Sequence, residues 1–394
     1  MLSKLSTWFT PEQKSASIAS PDQWLLDIFG AQPALSGASV TPESALRVPA
    51  VKAAISLISE TVGCLPAKAY RRTDDGKEVD RQHPAHTLAH DWANPWTAAS
   101  ALREQLTRDA MLHGHGFAWA NRVGGRPVEL IRIEPALVTI EIDPQTSEPA
   151  YIVREPNGTR RINFRDMLHI SAGPDGVAPI VHAREAIALA LVLEQHAARL
   201  FGRGARPSGV LKFPGRLTPE AAQRIREAWN RAHGGNQSGG TAVLEEGASF
   251  EGITLNAVDA QFAEMRAFQI VEIARAFRVS PVLIGDLGRA TWSNSEELGR
   301  QFVSFTLLPW LDRWKAAYER VLLTPEERDT WAIEFTVDDL LRADTATRAT
   351  AYSQFRAMGA MTANEIRALE NLPPIAGGDT LENPFTTTGA NADD

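Results

Sequence analysis

The chain has 394 residues, 44% of them apolar and 22% charged, the ordinary range of a globular protein able to bury a sizeable core. Its net charge of -8 excludes a simple basic DNA-coating protein. Its single cysteine, Cys64, excludes an intrachain disulfide and is expected as a buried, inert thiol. The longest apolar run, Ala186 to Leu193, is far too short for a membrane span. The first residues show no apolar core or cleavage site of an export leader, so a cytoplasmic compartment is expected. The length suits several lobes.

Residues 1 to about 37 mix Ser, Pro, Gly and Ala around "WLLDIFG" and read as a loosely held arm. The next stretch predicts a helix capped by Thr41 with Pro42 at its first position and an apolar stripe of Val48, Val51, Ile55, Ile58 and Val62, ended by Pro66. "AKAYRR" then starts a strand. A second helix is predicted over Ala98–His113. Six short β-type runs follow ("GFAWANRV", "PVELIRIEP", "LVTIEIDP", "AYIVRE", "RRINF", "MLHISA"), with Pro, Gly and Asn between them. They predict an antiparallel β-rich lobe of an α+β fold.

A helix from His182 to about Phe201 is broken by "GRGARPSG". A small α/β insert follows: "GVLKF", the helix "TPEAAQRIREAWNRAH", a glycine-rich loop, and strands "AVLEEG" and "GITLNA". Helix Asp259–Phe277 precedes a polar stretch and a long helix through Leu322. Ser293 and Glu296 have capping-box spacing, so that helix is expected to start at Asn294. Pro309 cannot donate to the Phe305 carbonyl, so a bend is expected there. Its expected apolar face is Leu298, Phe302, Phe305, Trp310, Trp314 and Tyr318. Strand "WAIEFTV" and C-terminal helices complete the order, with Thr362 and Glu365 as a second capping box and 383–394 read as a disordered tail.

Charge is uneven. Arg199 to Arg231 holds eight Lys/Arg against two Glu, whereas Glu245 to Glu264 holds five acids and no base. Arg199, Arg203 and Arg206, followed by Lys212 and Arg216, therefore form a candidate partner or DNA surface, against the alternative of a solvated helix end. Catalytic signals are weak. "GGNQSGGT" lacks the Lys-Ser/Thr of a P-loop, and no G-x-S-x-G elbow occurs. His86 and His90 stand at i,i+4, and with His83, His113 and His115 they define the alternative reading, a metal-binding or hydrolytic enzyme, although no HExxH occurs.

"SALRVPAVKAAISLISETVGCLPAKAYRR", "HPAHTL", "NPW", "GHGFAWANR", "LHISA", "RPSGVL", "IARAFRVSPVLIGD", "ATWSNSEE…FVSFTLLPWL" and "DDLLRADTATRA…GAMTANEIRALENLPPIAGGD" stand in this order over residues 41 to 379. Together they resemble the portal proteins of long-tailed bacteriophages of the siphophage type; the shortness of the chain is similar to the portals of gene transfer agents or prophages. The family's "FGVPP" has Arg278 and Ser280 at its Gly and first Pro, which bears on the local turn.

The resemblance implies an α+β, portal-like elongated subunit and a ring of twelve at one capsid vertex, with no catalysis and no cofactor. It implies double-stranded DNA passing through without sequence reading, and docking of the terminase large subunit, then the head–tail adaptor, beside the major capsid protein. No membrane is involved, and the virion or phage-like particle is assembled in a bacterial cytoplasm. The implied parts are a wing (38–181 and 330–382), stem helices (182–204 and 258–278), a clip (205–257), and a tunnel loop with long kinked helix (279–329). The crown is expected to be short or missing. The implied site residues are Arg289, Thr291, Trp292, Ser293 and Asn294 in the tunnel loop. The clip surface would carry Lys212, Arg216, Arg224, Arg226, Trp229 and Arg231, and the stem and channel Arg199, Arg203, Asp259 and Glu264.

Overall fold

Apolar residues at helical spacing and β-branched runs between turn formers set up two units in a computed structural model. It describes residues 34–74, 76–202, 209–215, 217–233, 248–252, 257–289, 295–337, 345–370 and 372–381. One unit takes residues 1–52 and 180–276, the other 53–179 and 277–394.

The second unit holds most of the sheet. Strands β1 (Ala67–Thr73), β2 (Gly76–Val79) and β13 (Trp331–Phe335) form one antiparallel sheet in the order β13-β1-β2. In it Ala67 pairs with Phe335 and Arg71 with Trp331, so the chain returns to its beginning. A hairpin of β3 (Trp92–Asn94) and β4 (Thr97–Ala98) precedes β5 (His115–Val123), β6 (Arg126–Ile133) and β10 (Met167–Ser171), which pair as β10-β5-β6. The third sheet is β7 (Val138–Ile142), β8 (Pro149–Glu155) and β9 (Gly158–Asn163). Phe117, Tyr151, Val153, Ile162 and Met167 form the core between these strands. Every pairing is antiparallel, as the short alternating runs predict. β2 and the β3–β4 hairpin are too short to leave a periodic pattern in the sequence.

The predicted first helix is two helices: α1 (Pro42–Ala45) and α2 (Pro49–Cys64). Thr41 caps α1 in a box with Ser44, and Pro49 then opens α2 without needing an N–H partner. Val51, Ile55, Ile58 and Val62 are buried as predicted. Cys64 is not: it is exposed, because it is the last residue of α2, where the stripe has already turned away. Its neighbour α3 (Ala99–His113) buries Leu102, Leu106 and Ala110. Arg103 is 1% exposed and donates to the carbonyls of Val62, Gly63 and Leu65 at the end of α2, and to that of Ala89. A planar guanidinium is thus the cap of α2, and the negative end of the helix dipole sits against its charge.

In the first unit, α4 (Arg184–Gly202) and α6 (Ala257–Ala276) lie against each other, with the rings of His196 and Phe262 5.7 Å apart. Between them in sequence come β11 (Gly209–Lys212), α5 (Pro219–His233) and β12 (Ser249–Gly252), with β11 and β12 antiparallel. The predicted strand "AVLEEG" and most of "GITLNA" lie outside the described residues.

The long helix is α7 (Ser295–Gln301), a π-helical segment Phe302–Leu307, and α8 (Leu308–Leu322). Where a bend is expected at Pro309, the structure has a π segment on its N-terminal side. There the Leu308 N–H reaches back to the Val303 carbonyl, and Pro309 becomes an early residue of α8. The wider turn shifts the buried face. Val303, Thr306, Leu307, Trp310, Leu311 and Trp314 point inward, and Phe305, expected on the apolar face, is 63% exposed. The C-terminal helices are α9 (Thr345–Ala357) and α10 (Ala363–Leu369). The predicted box caps α10: the Glu365 N–H donates to the Thr362 hydroxyl at 3.1 Å and the Thr362 N–H to the Glu365 carboxylate at 2.6 Å.

Candidate functional site

Among the predicted tunnel residues, Thr291, Trp292, Ser293 and Asn294 lie outside the described residues. Arg289 ends a 3-10 turn, Leu287–Arg289, just before them, and α7 begins just after at Ser295. The turn that leads here is strained. Arg278, which stands where the family's motif has Gly, adopts φ +59°, a conformation disfavoured for a side chain with a Cβ. The Thr306 hydroxyl, inside the π segment, donates to the Arg278 carbonyl at 2.5 Å and holds it there. Arg313 feels both burial and the Arg278 charge, which lower its affinity for its proton. The guanidinium of Arg313 stacks 4.9 Å from the Trp310 ring centroid.

Arg199 on α4 and Glu264 on α6 are exposed, and Asp259 stands in the first turn of α6. Exposure on α6 is broad: Glu264, Met265, Arg266 and Phe268 are all open to solvent. Arg203 and Arg216 lie outside the described residues.

In the insert, Thr218 opens α5 by accepting the Ala221 N–H at 3.3 Å. Arg224 and Arg226 are exposed along the helix, Trp229 is half-buried, and Arg231 belongs to its last turn. Lys212, at the end of β11, is exposed. The structure therefore places the cations Arg224, Arg226 and Arg231 on one helix, as the spacing predicts, with Lys212 on the strand pair.

The histidines proposed for an enzyme are not brought together. His83 accepts the Ala85 N–H at its Nδ1 (3.2 Å), leaving Nε2 3.6 Å from the Glu327 carboxylate. His86 accepts the Ala69 N–H at 3.3 Å, with the His90 ring 5.0 Å away. His113 is exposed at the end of α3. His115 pairs instead with His169, which is not among the histidines expected from the sequence: His169 Nε2 is 2.9 Å from His115 Nδ1, and the Tyr151 hydroxyl is 3.0 Å from His169 Nδ1. Burial, first of all, and then His115 and Arg320 push His169 down to about 3. Burial lowers His115 and raises Tyr151 in the same sense, so the trio is neutral. Alternation along β10 could have flagged His169, since it shares the face of the core residue Met167. Among the described residues no group of three or more His, Cys, Asp or Glu could hold a metal ion, and no helix is long and apolar enough to cross a membrane.

The described residues thus give an α+β fold with its histidines dispersed and with cations on an exposed helix of a small insert. A family model described as phage portal protein matches residues 49–371, and the chain belongs to that family. It is 31% identical to the probable portal protein of Streptomyces phage phiC31 over 368 residues, covering 88% of this chain and 79% of that one. It is 27% identical to the portal protein of Enterobacteria phage HK97 over 372 residues, covering 91% and 87%. Among solved structures, a chain in the neck of a native gene transfer agent particle computed with C12 symmetry aligns with TM-score 0.63 and 23% identity, covering 91% of this chain and 100% of that chain. Neither these relatives nor the geometry of the histidines supports the enzyme reading.

Proposed function

We propose that this portal subunit assembles into a ring of twelve at one vertex of a virion or phage-like particle built in a bacterial cytoplasm, with double-stranded DNA entering and leaving through the centre. The observation that carries the reading is the family match over residues 49–371. The symmetric particle neck that shares the fold supports the ring, and a head-to-tail interface that closes on itself is the physical form such a ring takes.

Within that ring, residues 38–181 and 330–382 act as the wing, against the major capsid protein. The helices within 182–204 and 258–278 act as the stem, and 205–257 as the clip. The clip cations Lys212, Arg216, Arg224, Arg226 and Arg231, with Trp229, meet the terminase large subunit first and the head–tail adaptor afterwards. The exposed Glu264 on α6, with Asp259, favours repulsion of the duplex over capture. A channel that gripped phosphates would stall the DNA.

Residues Thr291 to Asn294, with Arg289, form the tunnel loop in this reading. They carry one cation in all, and strong salt-dependent DNA binding needs many. Deleting Ala290–Ser293 is expected to leave rings intact and to lower the DNA packaged or retained per particle. Normal DNA content in intact rings would overturn the loop assignment, and loss of rings would make the loop structural.

A further inference from the structure

Residues Ser36 to Arg47 and the face of α4 from Leu191 to Ala198 enclose a groove of about 850 Å³ within the first unit. That is ample for a short peptide segment. Leu191 and Val192 give one wall an apolar strip, and both are half-buried. The opposite wall carries hydroxyls, Glu43 and Arg47, and Glu194 on α4 is a second acid; Arg47 is the only cation among the described lining residues. Arg47 is exposed, and among the described residues its guanidinium has no hydrogen-bond or ion-pair partner. The Ser39 hydroxyl is buried in the same wall, also without a partner.

The described chain begins at this rim. Ala34 is buried, the Leu35 N–H donates to the Glu185 carboxylate on α4 at 2.9 Å, and Gly37, at φ +77°, turns the backbone along the groove. Leu35 itself is 97% exposed. The apolar segment Trp24–Gly30, "WLLDIFG", ends four residues before Ala34. Four residues span at most about 14 Å, so the chain length lets this segment reach the groove at an effective concentration in the millimolar range. It carries one charge, Asp27, opposite in sign to Arg47.

We propose that the groove receives Trp24–Gly30 of the same chain, its apolar side chains against Leu191 and Val192 and its Asp27 against Arg47. Three observations converge on this occupant: an apolar strip that water would otherwise cover, an unpartnered guanidinium, and a short tether ending at the rim. The inference goes beyond the ring reading and does not depend on it. It makes the N-terminal arm an intramolecular staple on α4, and it closes the groove to a neighbouring copy.

The test uses the full chain carrying Cys64→Ser, Ile28→Cys and Ala198→Cys, treated with a bis-maleimide long enough to span the groove. A control pair, Ser36→Cys with Ala198→Cys, bridges the two walls. The expected result is an intrachain cross-link between positions 28 and 198, running at monomer mass on a denaturing gel. Arg47→Glu should lower its yield by roughly two- to fivefold, the range set by one exposed ion pair, and Asp27→Lys should restore it. An interchain link would show that the arm crosses to a neighbour and would overturn the proposal. Failure of the 28–198 pair while the control pair links would overturn it as well. An Arg47→Glu yield equal to the parent's would overturn the Asp27 pairing.

Discussion

Trp314 donates its indole N–H to the hydroxyl of Thr107 at 2.9 Å, and neither residue has any exposed surface. Thr107 in turn donates to the Arg103 carbonyl at 2.7 Å. This bond ties α8, which follows the π segment, to α3 behind the β10-β5-β6 sheet. Thr107→Val keeps the volume and orphans the indole N–H, so it should cost about 1–3 kcal/mol. Trp314→Phe in the Thr107→Val background should cost less than in the parent, because the unpaired donor is gone. Urea unfolding at fixed protein concentration measures the cycle, and additive costs would mean the bond carries no coupling.

Arg278 sits at φ +59° with its carbonyl held by Thr306. Glycine adopts that conformation without the Cβ penalty. Arg278→Gly also removes the charge that disfavours protonated Arg313. The variant should be more stable by about 1 kcal/mol, seen as a higher melting temperature. A lower one would mean that the Arg278 side chain contributes more than its backbone strain costs.

Buried histidines are expected to make the protein less stable in acid. His86, His115 and His169 are all held below the ordinary histidine value, chiefly by burial, and His169 is pushed down to about 3. Above pH ~6.5 both folded and unfolded chains leave them neutral, and their contribution is fully present. Below that value the unfolded chain takes up protons that the folded chain refuses, so stability falls as pH falls, for His169 down to about 3. His169→Phe keeps a ring against Phe117 and removes one titration. It should flatten the stability curve between pH ~6 and ~4.5 by about 1.4 kcal/mol per pH unit. An unchanged slope would show that His169 is protonated in the folded chain.

The long helix shows what the sequence made legible and what it did not. Pro309 announces an irregularity, because its missing N–H is visible in one letter. Whether the chain answers with a bend or with a wide turn depends on packing, and the π segment rotated Phe305 out of the face that simple spacing assigns it. The capping box of Thr362 and Glu365 was fully legible, since both partners are three residues apart. Arg103 was not: it caps α2 from a helix roughly forty residues away, and no local pattern marks a buried cation whose partners are carbonyls. The same holds for Tyr151, His169 and His115, which meet only once β8, β10 and β5 are assembled. In the insert, the basic spacing of Arg224, Arg226 and Arg231 put them on one helix because 3.6-residue geometry needs no tertiary information.

Arg224 and Arg226 are exposed on α5, and Arg231 follows on the same helix. Replacing all three with Glu should weaken binding to the terminase large subunit or the adaptor, most strongly at low salt, because rim charges act mainly on association. The mass of the assembly should not change. Pull-down of both partners at parental levels would remove α5 from the docking surface.

In the proposed function this chain closes into a ring. Mass measurement of the purified full-length protein, paired with negative-stain images, tests it most directly. The expected result is a particle of twelve times the mass of one chain, with a central channel in end-on views. A monomer, or a small oligomer without a channel, at concentrations well above those of assembly in a cell would contradict it.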